Sequence, residues 1–333
     1  AYSFGDGKEI FTFDEFKDNF NIDNVSLGGP VFDLVKLGWI NNQHMRLKDL
    51  KELTEMTIPF FRANGFIGKN LGPYLQTLGH TVEGFEWKGP NVLPNPENYD
   101  SVIHLGAISS TTETDVEKVL IQNHEFTMNL IQLCDKFGVN MQIASSASVY
   151  GQGLDGYKEE SKCLPQSPYA WSKYLTDRFL IQAGLYQKEF NMNLQVFRYF
   201  NVYGPYEDHK NDQASPIHKF TQQAKNNKVI KVFENSENYK RDFICVSDVC
   251  RVHENMLKTD TSGIFNVGTG TTTSFQDVAE IIANKYDATI ETIEMPGKLK
   301  SQYQEYTCAD LTNLNKHCKI NDYMTVKEYI HAY

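Results

Sequence analysis

Two hydrophobic spacings alternate along the chain from about residue 63 onward. Runs of adjacent or alternating apolar residues are typical of strands, whereas apolar residues every three or four positions are typical of helices. The strand-like runs are HTVEGFEW (His80–Trp87), DSVIHLGA (Asp100–Ala107), MQIASSASVY from Met141 and LQVFRYFNVYG from Leu194, and the helical patterns cover 66–79, 113–137 and 168–182. Repeated strand–helix units of this length predict an α/β fold with a doubly wound parallel sheet covered on both faces.

The first 57 residues have a different, polar and helical pattern. Thr12 and Glu15 have the spacing of a capping box, in which a hydroxyl and a carboxylate accept backbone amides at a helix start. A second helix is predicted over 47–56, where leucines recur every three residues along one side. We therefore expect residues 1–57 to form a short helical segment ahead of the α/β fold.

Composition excludes several classes of protein. The net charge of -10 argues against nucleic-acid binding by general attraction, because phosphate backbones require clustered Lys and Arg. The six cysteines lack Cys-x-x-Cys spacing, so they predict reduced thiols and a cytoplasmic protein. The N-terminus lacks the pattern of a signal peptide, and no stretch of about 18 apolar residues predicts a membrane span.

A glycine-containing turn, ANGFIG (Ala63–Gly68), lies just before the first predicted helix of the α/β region. Gly65 and Gly68 match the last two glycines of a Gly-x-x-Gly-x-x-Gly pattern, in which backbone amides receive a pyrophosphate. Arg62 stands at the first glycine position, where a side chain adds bulk or, alternatively, pairs with phosphate. A two-glycine turn is also common at ordinary helix starts, so this motif alone predicts a dinucleotide site only weakly.

Two charged residues at the end of the predicted strand His80–Trp87 and just beyond it bear on the choice of cofactor. Glu86 is placed to accept hydrogen bonds from an adenosine ribose, which favours NAD. Lys88 is placed to pair with a 2′-phosphate, which favours NADP. The sequence leaves both cofactors open.

A candidate catalytic set follows the third predicted strand. Tyr169 and Lys173 have Tyr-x-x-x-Lys spacing, which places both side chains on one helix face, where an ammonium favours the phenolate and lowers the tyrosine pKa. Such a spacing also arises by chance in a chain with 18 tyrosines. Ser146 strengthens it, because SSASVYG (Ser145–Gly151) precedes the tyrosine by about 20 residues; the alternative is that Ser146 only caps the next segment. We interpret Ser146, Tyr169 and Lys173 as an acid/base set.

The order of these motifs resembles a known family. ANGFIG, HLGA, SSASVYG, YAWSK and RYFNVYGP are similar to segments of the extended short-chain dehydrogenases that act on nucleotide sugars. Longer segments resemble the ADP-glycero-manno-heptose 6-epimerases within that family: SSTTE (109–113), RYFNVYGPYEDHK (198–210), SENYKRDF (236–243), and KLKSQYQ with ADLTNL (298–314). The resemblance covers about residues 63–333.

The resemblance implies a Rossmann domain and a smaller C-terminal substrate lobe. The Rossmann domain is expected over 58–205, with 243–270 returning to it, and the lobe over 206–242 and 271–333. The reaction implied is transient oxidation of carbon six of ADP-glycero-manno-heptose and re-reduction from the other face, with bound NADP or NAD.

The resemblance also implies roles for individual residues. Tyr169 would move the hydroxyl proton, Ser146 would bind the reacting oxygen, Lys173 would bind the nicotinamide ribose, and Lys210 would be a second acid/base. The cofactor would be bound by Gly65, Phe66, Ile67, Gly68, Glu86, Lys88, Leu105, Ala107, Asn123, Tyr169 and Lys173. The ADP-sugar would be bound by Ser109, Ser110, Thr111, Glu113, Asn201, Lys240, Arg241, Lys300 and Tyr303. Each of these polar residues could instead be a surface pair or helix cap.

Other polar residues indicate structural roles. Asp242 and Asp248 are interpreted as caps. His104, His124 and His209 lack metal-ligand spacing, so no metal site is predicted. The oligomeric state stays open, a homo-oligomer included.

The N-terminal part resembles a different family. Residues 9–46, and more loosely 9–56, are similar to glutamyl-tRNA synthetases just beyond their catalytic domain. The catalytic motifs of those enzymes are absent, so this part is not expected to aminoacylate tRNA. The two resemblances together indicate a chimera joined near residues 61–63, either a gene fusion or an assembly error. Three further hypotheses stay open: a nucleotide-sugar binding protein that has lost turnover, an epimerase of another nucleotide sugar, and an RNA-associated module, which the charge of -10 argues against.

Overall fold

The computed structural model describes residues 65–86, 89, 92–187, 189–297 and 304–333. All of them belong to the unit Arg62–Tyr333. The helical segment predicted over 1–57, the synthetase resemblance and Arg62 lie outside the described residues.

The described strands and helices alternate through most of the chain. The strands are β1 (Ser101–His104), β2 (Asn140–Ser146), β3 (Leu194–Tyr199), β4 (Asn201–Tyr203), β5 (Val229–Phe233), β6 (Lys240–Arg241), β7 (Phe243–Cys245), β8 (Gly263–Val267), β9 (Thr273–Ser274), β10 (Thr289–Ile293) and β11 (Tyr306–Thr307). The helices are α1 (Phe66–Thr77), α2 (Val116–Leu120), α3 (Phe126–Phe137), α4 (Pro168–Gln182), α5 (Pro216–Asn227), α6 (Val246–Leu257), α7 (Phe275–Tyr286) and α8 (Val326–Ala332). Single turns of 3₁₀-helix cover Ala147–Tyr150, Leu185–Gln187, Asp208–Gln213 and Leu314–Lys316, and a π-helical turn covers Ile121–Glu125.

Four parallel strands form the central sheet, in the order β1-β2-β3-β8. Ser146, the last residue of β2, pairs with Tyr199 at the end of β3. Tyr199 in turn pairs with Val267, the last residue of β8. The carboxyl ends of these three strands therefore lie level at one edge of the sheet, which is where open α/β sheets bind ligands.

Side chains alternate between the two faces of this sheet, as the strand period of two requires. Met141 and Ile143 of β2 pack in one core cluster that includes residues of α3 and α4. Ala144 of β2 and Phe197 of β3 pack in a second cluster that includes α6 and, through the half-buried Ile67, α1. Helices cover both faces, so the predicted Rossmann-type α/β fold is confirmed.

A further core cluster lies among the elements of the C-terminal part. β5 and β10 pair in parallel, and α5, α7 and α8 pack around them through residues such as Phe220, Ile282 and Ile330. Residues 243–270 contribute α6 and β8 to the larger sheet and its cover. The division into Rossmann domain and substrate lobe stays a prediction.

Two sequence predictions differ from the structure. Residues 80–86 of the second predicted strand form no strand, because a strand requires a hydrogen-bonded neighbour and none of the described strands pairs with this segment. The helix predicted over 113–137 begins at Val116 and includes the π-helical turn. Such a turn adds one residue to the helix, which apolar spacing does not reveal.

Candidate active site

The carboxyl end of β2 and the first turn of α4 bring Ser146 and Tyr169 together. α4 begins there because Ser167 caps it, accepting the Ala170 amide at 3.2 Å, and Pro168 occupies the first helical position. A side-chain hydrogen bond joins Tyr169 to Ser146. Ser146 Oγ also accepts the Ser148 amide at 3.2 Å, so its hydroxyl has a defined position.

Lys173 lies one turn after Tyr169 and is buried. Its Nζ donates to the Ala144 carbonyl of β2 at 2.7 Å. Burial lowers the pKa of Lys173 to about 8, and the Asp177 carboxylate acts in the opposite direction. Lys173 is therefore an ammonium at neutral pH and begins to lose its proton only slightly above it.

The pKa of Tyr169 differs from the sequence-based prediction. Burial raises the pKa of Tyr169, the hydrogen bond from Ser146 opposes this shift, and Asp177 adds to it. The predicted lowering by Lys173 is wrong for this geometry, because burial outweighs it and the ammonium is hydrogen-bonded to a backbone carbonyl instead. Tyr169 is a phenol here, in the form that donates a proton.

Asn123 connects the loop after β1 to α4. Its Oδ1 accepts the Ile108 amide at 2.7 Å, and its Nδ2 donates to the Ile108 carbonyl at 3.0 Å and to Ser172 Oγ at 3.1 Å. The π-helical turn places this buried side chain between the two elements. Asn123 therefore holds the predicted cofactor loop, which contains Leu105 and Ala107, next to the helix of Tyr169.

The loop from Ser109 to Glu113 is more exposed. Thr111 Oγ1 donates to Gln213 Oε1 at 3.4 Å, which links this loop to the one that carries Lys210. Ser110 Oγ lies 3.0 Å from Thr112 Oγ1. Glu113 accepts the amides of the next two residues and pairs with Lys118 at 3.0 Å, and these contacts lower its pKa. In this structure the Glu113 carboxylate holds the turn before α2, and Asp115 is the residue that caps the helix.

Lys210 lies over the first residue of α1. Its Nζ is 4.7 Å from the centroid of the Phe66 ring and 3.4 Å from Glu207 Oε2. Glu207 is buried and also accepts hydrogen bonds from the Gly204 amide and from Ser215. Glu207 thus fixes the loop that brings Lys210 to the start of the predicted cofactor helix.

The start of α1 fits a dinucleotide phosphate. Gly65 is the N-cap, and no side chain caps the first-turn amides of Phe66, Ile67 and Gly68. Among the described residues, no atom lies within 4 Å of the position that a Cβ at Gly65 would occupy. Uncapped amides at a helix start bind anions well. Glu86 lies in the non-strand segment after α1, and Lys88 lies outside the described residues, so the choice between NAD and NADP is open.

The predicted substrate residues of the C-terminal part differ in exposure. Asn201 Oδ1 accepts Thr307 Oγ1 at 3.5 Å, and Lys240 is exposed. Arg241 is buried; its guanidinium donates to the backbone carbonyls of Lys240 and Gln304 and stacks 5.4 Å from the Phe275 ring. Lys300 and Tyr303 lie outside the described residues.

Asp242 and Asp248, interpreted from the sequence as caps, instead bind the backbone amides of loop residues. Asp242 accepts hydrogen bonds from Thr269, Gly270 and Ala309. Asp248 accepts the Met324 amide at 2.8 Å. The predicted packing histidines are paired as well: His104 lies 2.8 Å from Thr127 Oγ1, and His124 lies 2.9 Å from Thr176 Oγ1.

Sequence reasoning missed a buried polar network beside the catalytic set. Arg198 of β3 donates to Asp177 of α4 at 2.8 Å and to Tyr150 Oη at 3.0 Å. The available signal was Asp177 itself, which stands four residues after Lys173 and therefore on the same helix face. An arginine in an apolar strand, between Phe197 and Tyr199, was a second signal.

Three findings concern what the described part of the chain contains. No helix there is long and apolar enough to cross a membrane. In the same residues no group of three or more His, Cys, Asp and Glu side chains could hold a metal ion. All six cysteines are free thiols.

A Rossmann-type sheet with a Ser–Tyr–Lys set at its carboxyl edge defines a class of nicotinamide-nucleotide enzymes. Residues 63–268 match the NAD dependent epimerase/dehydratase family, and the chain belongs to that family. A relative from Brachyspira hyodysenteriae (strain ATCC 49526 / WA1), an ADP-L-glycero-D-manno-heptose-6-epimerase, is 40% identical over 244 residues, covering 72% of this chain and 76% of the relative.

Solved structures show the same fold. The ADP-L-glycero-D-manno-heptose-6-epimerase of Helicobacter pylori has a TM-score of 0.69 at 24% identity, over 81% of this chain and 92% of that one. RMD from Pseudomonas aeruginosa, solved with NADPH, has a TM-score of 0.68 at 24% identity, over 80% and 94% of the two chains. At these identities the likeness establishes the fold.

Proposed function

We propose that this protein is an ADP-glycero-manno-heptose 6-epimerase that uses bound NADP or NAD. The observation that carries the proposal is the joined set at the edge of the sheet: Ser146 bonded to Tyr169, with Lys173 one turn later. The heptose substrate is supported by the 40% identical relative, whose name states that activity.

Tyr169 is the proposed acid/base. In the oxidation half it takes the hydroxyl proton as the phenolate, and in the reduction half the resulting phenol returns a proton to the oxygen, while Ser146 binds that oxygen. A bound nicotinamide nucleotide would supply the reversible hydride chemistry at carbon six. Lys173 would bind the nicotinamide ribose, and as an ammonium one turn after Tyr169 it would be the nearby positive charge once the bound cofactor orders the site.

Lys210 is the proposed second acid/base, because inversion presents the hydroxyl on two opposite faces of the reacting carbon. Glu207 holds its loop, and the Phe66 ring holds its ammonium near the cofactor helix. The cofactor pyrophosphate would be bound by the first-turn amides of α1. Asn123 would keep the Leu105–Ala107 loop against the nicotinamide side.

The ADP-sugar would lie between the 109–113 loop and the C-terminal part. Hydroxyls of Ser109, Ser110 and Thr111, together with Glu113 and Asn201, would contact the sugar. The cations Lys240, Arg241 and Lys300, together with Tyr303, would face the ADP moiety, where positive charge offsets the diphosphate. We further expect a cytoplasmic protein, since all six thiols are free.

A homo-oligomer is the proposed assembly. Trp171, Leu175 and Phe179 recur every four residues along α4 and are 49%, 39% and 45% exposed. Three large apolar side chains in one exposed stripe are typical of an interface rather than a free surface. Size-exclusion chromatography with light scattering tests this: Leu175→Lys with Phe179→Lys should lower the molar mass to that of one chain. A monomeric unsubstituted protein contradicts it.

The reaction itself is tested by incubation with ADP-D-glycero-D-manno-heptose and NADP or NAD, with the stereochemistry at carbon six measured by NMR. We expect inversion by the unsubstituted protein. In Tyr169→Phe the rate of inversion should fall by about 100-fold or more, which is the contribution typical of general acid/base groups. Tyr174→Phe, on the same helix, is the matched control and should keep full turnover. Near-full turnover by Tyr169→Phe would overturn the assignment. Binding of cofactor without inversion by the unsubstituted protein would favour a binding protein.

A further inference from the structure

A buried ion pair lies beside the helix that carries Tyr169 and Lys173. Arg198 Nε donates to Asp177 Oδ2 at 2.8 Å, and the two side chains are 2% and 1% exposed. Removing two charges from water costs several kcal/mol each, so a buried pair often adds no net stability over apolar residues of the same volume. Its presence next to the candidate site therefore points to a role other than stability.

The pair is part of a set of side-chain hydrogen bonds between α4 and β2, made by Lys173 and Asp177 and called the clasp below. Lys173 Nζ donates to the Ala144 carbonyl at 2.7 Å, and Ser145 Oγ donates to Asp177 Oδ1 at 2.9 Å. Two residues one turn apart on the helix are thus bonded to two consecutive residues of the strand. The next strand residue is Ser146, so the clasp sets the helix against the site hydroxyl.

Arg198 extends the clasp to the segments that follow β2. Its Nη1 donates to Tyr150 Oη at 3.0 Å and to the Glu159 carbonyl at 3.1 Å. Tyr150 Oη donates in turn to Asn266 Oδ1 at 2.7 Å. Each member has partners, and a satisfied polar network in a low-dielectric interior holds a single geometry.

Asp177 is also close enough to act on the charge of Lys173. The two side chains line the same narrow gap, together with residues of β2, α3 and the π-helical turn. Burial lowers the pKa of Lys173 to about 8, and Asp177 raises it. The other titratable groups near this part of α4 are Tyr169 on the helix itself, His104 on β1, whose pKa Lys173 lowers, His124, which meets Thr176, and Arg198, which pairs with Asp177. Asp177 is the carboxylate among these groups.

We propose that Asp177, held by Arg198, is a positioning residue that keeps Lys173 as an ammonium and sets α4 against Ser146. The inference rests on the proposed function, in which a charged Lys173 must lie near Tyr169. It assigns the Asp177–Arg198 pair a part in the reaction although neither residue contacts the reacting atoms.

The pH profile of kcat/KM tests this role. Asp177→Asn removes the charge, while its amide oxygen still accepts from Ser145. The alkaline limb should move down by about one pH unit, the effect of losing one nearby opposite charge. Arg178→Gln, which changes one charge on the exposed side of the same helix, should leave the limb in place. A lower rate with an unmoved limb contradicts the proposal, because a purely structural role has that result.

A second measurement does not depend on turnover. The pKa of Lys173 is titrated by NMR of isotope-labelled lysine Cε in Tyr169→Phe, with and without Asp177→Asn, and Lys173→Met identifies the resonance. A lower pKa is expected in the double variant, and an equal pKa overturns the inference. Full turnover by Tyr169→Phe alone would instead overturn the proposed function, so the two failures are distinguishable.

A third variant keeps the proposal testable if Asp177→Asn does not fold. Asp177→Asn leaves Arg198 buried without its carboxylate, which is destabilising. Asp177→Asn combined with Arg198→Gln removes both charges at similar volume. In this double variant the Lys173 pKa should be lower than in the parent, but the decrease should be smaller than in Asp177→Asn alone. An unchanged Lys173 pKa contradicts the proposal.

Discussion

Two regions of the candidate site differ in how their polar groups are held. The first is the junction of β2, β3 and α4, and the second consists of the loops that carry residues 109–113 and Lys210. At the junction, Lys173, Asp177 and Arg198 are buried and bonded to each other or to backbone. In the loops, Thr111 meets Gln213 at 3.4 Å, and Glu113 is bonded within its own turn.

This difference matches two different requirements. Proton transfer between Tyr169 and a substrate oxygen demands a fixed geometry, which a buried network provides. Binding and release of a large nucleotide sugar demand surfaces that can adjust, and exposed loops provide these. The contrast predicts that substitutions at the junction act on stability and turnover, whereas substitutions in the loops act on turnover or affinity alone.

The largest expected effect is from Arg198→Ala. It leaves Asp177 as an uncompensated buried charge, so the free energy of unfolding should fall by about 3–5 kcal/mol. Urea denaturation followed by circular dichroism measures this. Arg178→Ala, at an exposed position of α4, should change stability by less than about 0.5 kcal/mol. An Arg198→Ala loss as small as that of the control would show that the junction is not held by this pair.

Lys210→Met should act on turnover with little effect on folding. Removing a second acid/base is expected to lower the rate of inversion by about 100-fold, and stability should stay within about 0.5 kcal/mol of the parent. Lys219→Met, in the nearby helix α5, is the control and should keep full turnover. Inversion at the parental rate in Lys210→Met would mean that the loop supplies no proton-transfer group.

Acid should destabilise the fold through two buried histidines, His104 of β1 and His253 of α6. Burial lowers the pKa of His104 and of His253 to about 3. Because the folded pKa lies below the unfolded value of about 6.5, their contribution is present above pH 6.5 and is lost as the pH falls. The loss should be up to about 1.4 kcal/mol per pH unit for each histidine.

Urea denaturation between pH 7 and pH 5 measures this slope. His253→Asn should reduce the dependence of the free energy of unfolding on pH by about the contribution of one histidine. His80→Asn, at an exposed position, should not change it. A free energy of unfolding that is constant over this range would contradict the buried, neutral state of both rings.

The smallest expected effect on stability is from Glu113→Gln. The carboxylate is at the surface, so unfolding should change by less than about 0.5 kcal/mol. Direct sugar contact predicts a raised KM with a nearly unchanged kcat. Thr114→Ala, at the next exposed position, is the control. An unchanged KM would limit Glu113 to its observed contacts in the turn before α2.

Much of the fold could be predicted because it follows from local chemistry. Pro168–Gln182 begins and ends where its serine cap, proline and apolar spacing predict. The three parallel strands at residues 101, 140 and 194 follow from short apolar runs between helices. Residues 80–86 were predicted wrongly because strand formation depends on a partner elsewhere in the chain.

The sequence by itself determined the α/β alternation, the helix that carries Tyr169 and Lys173, and the serine at the end of β2. These depend on hydrophobic period, caps and motif spacing, which are local properties. Only the tertiary structure decided that Lys173 is bonded to Ala144, that burial raises the Tyr169 pKa, and that Arg198 and Asp177 join two strands and a helix. Burial and long-range pairing depend on which distant segments pack together, and no local pattern records that packing.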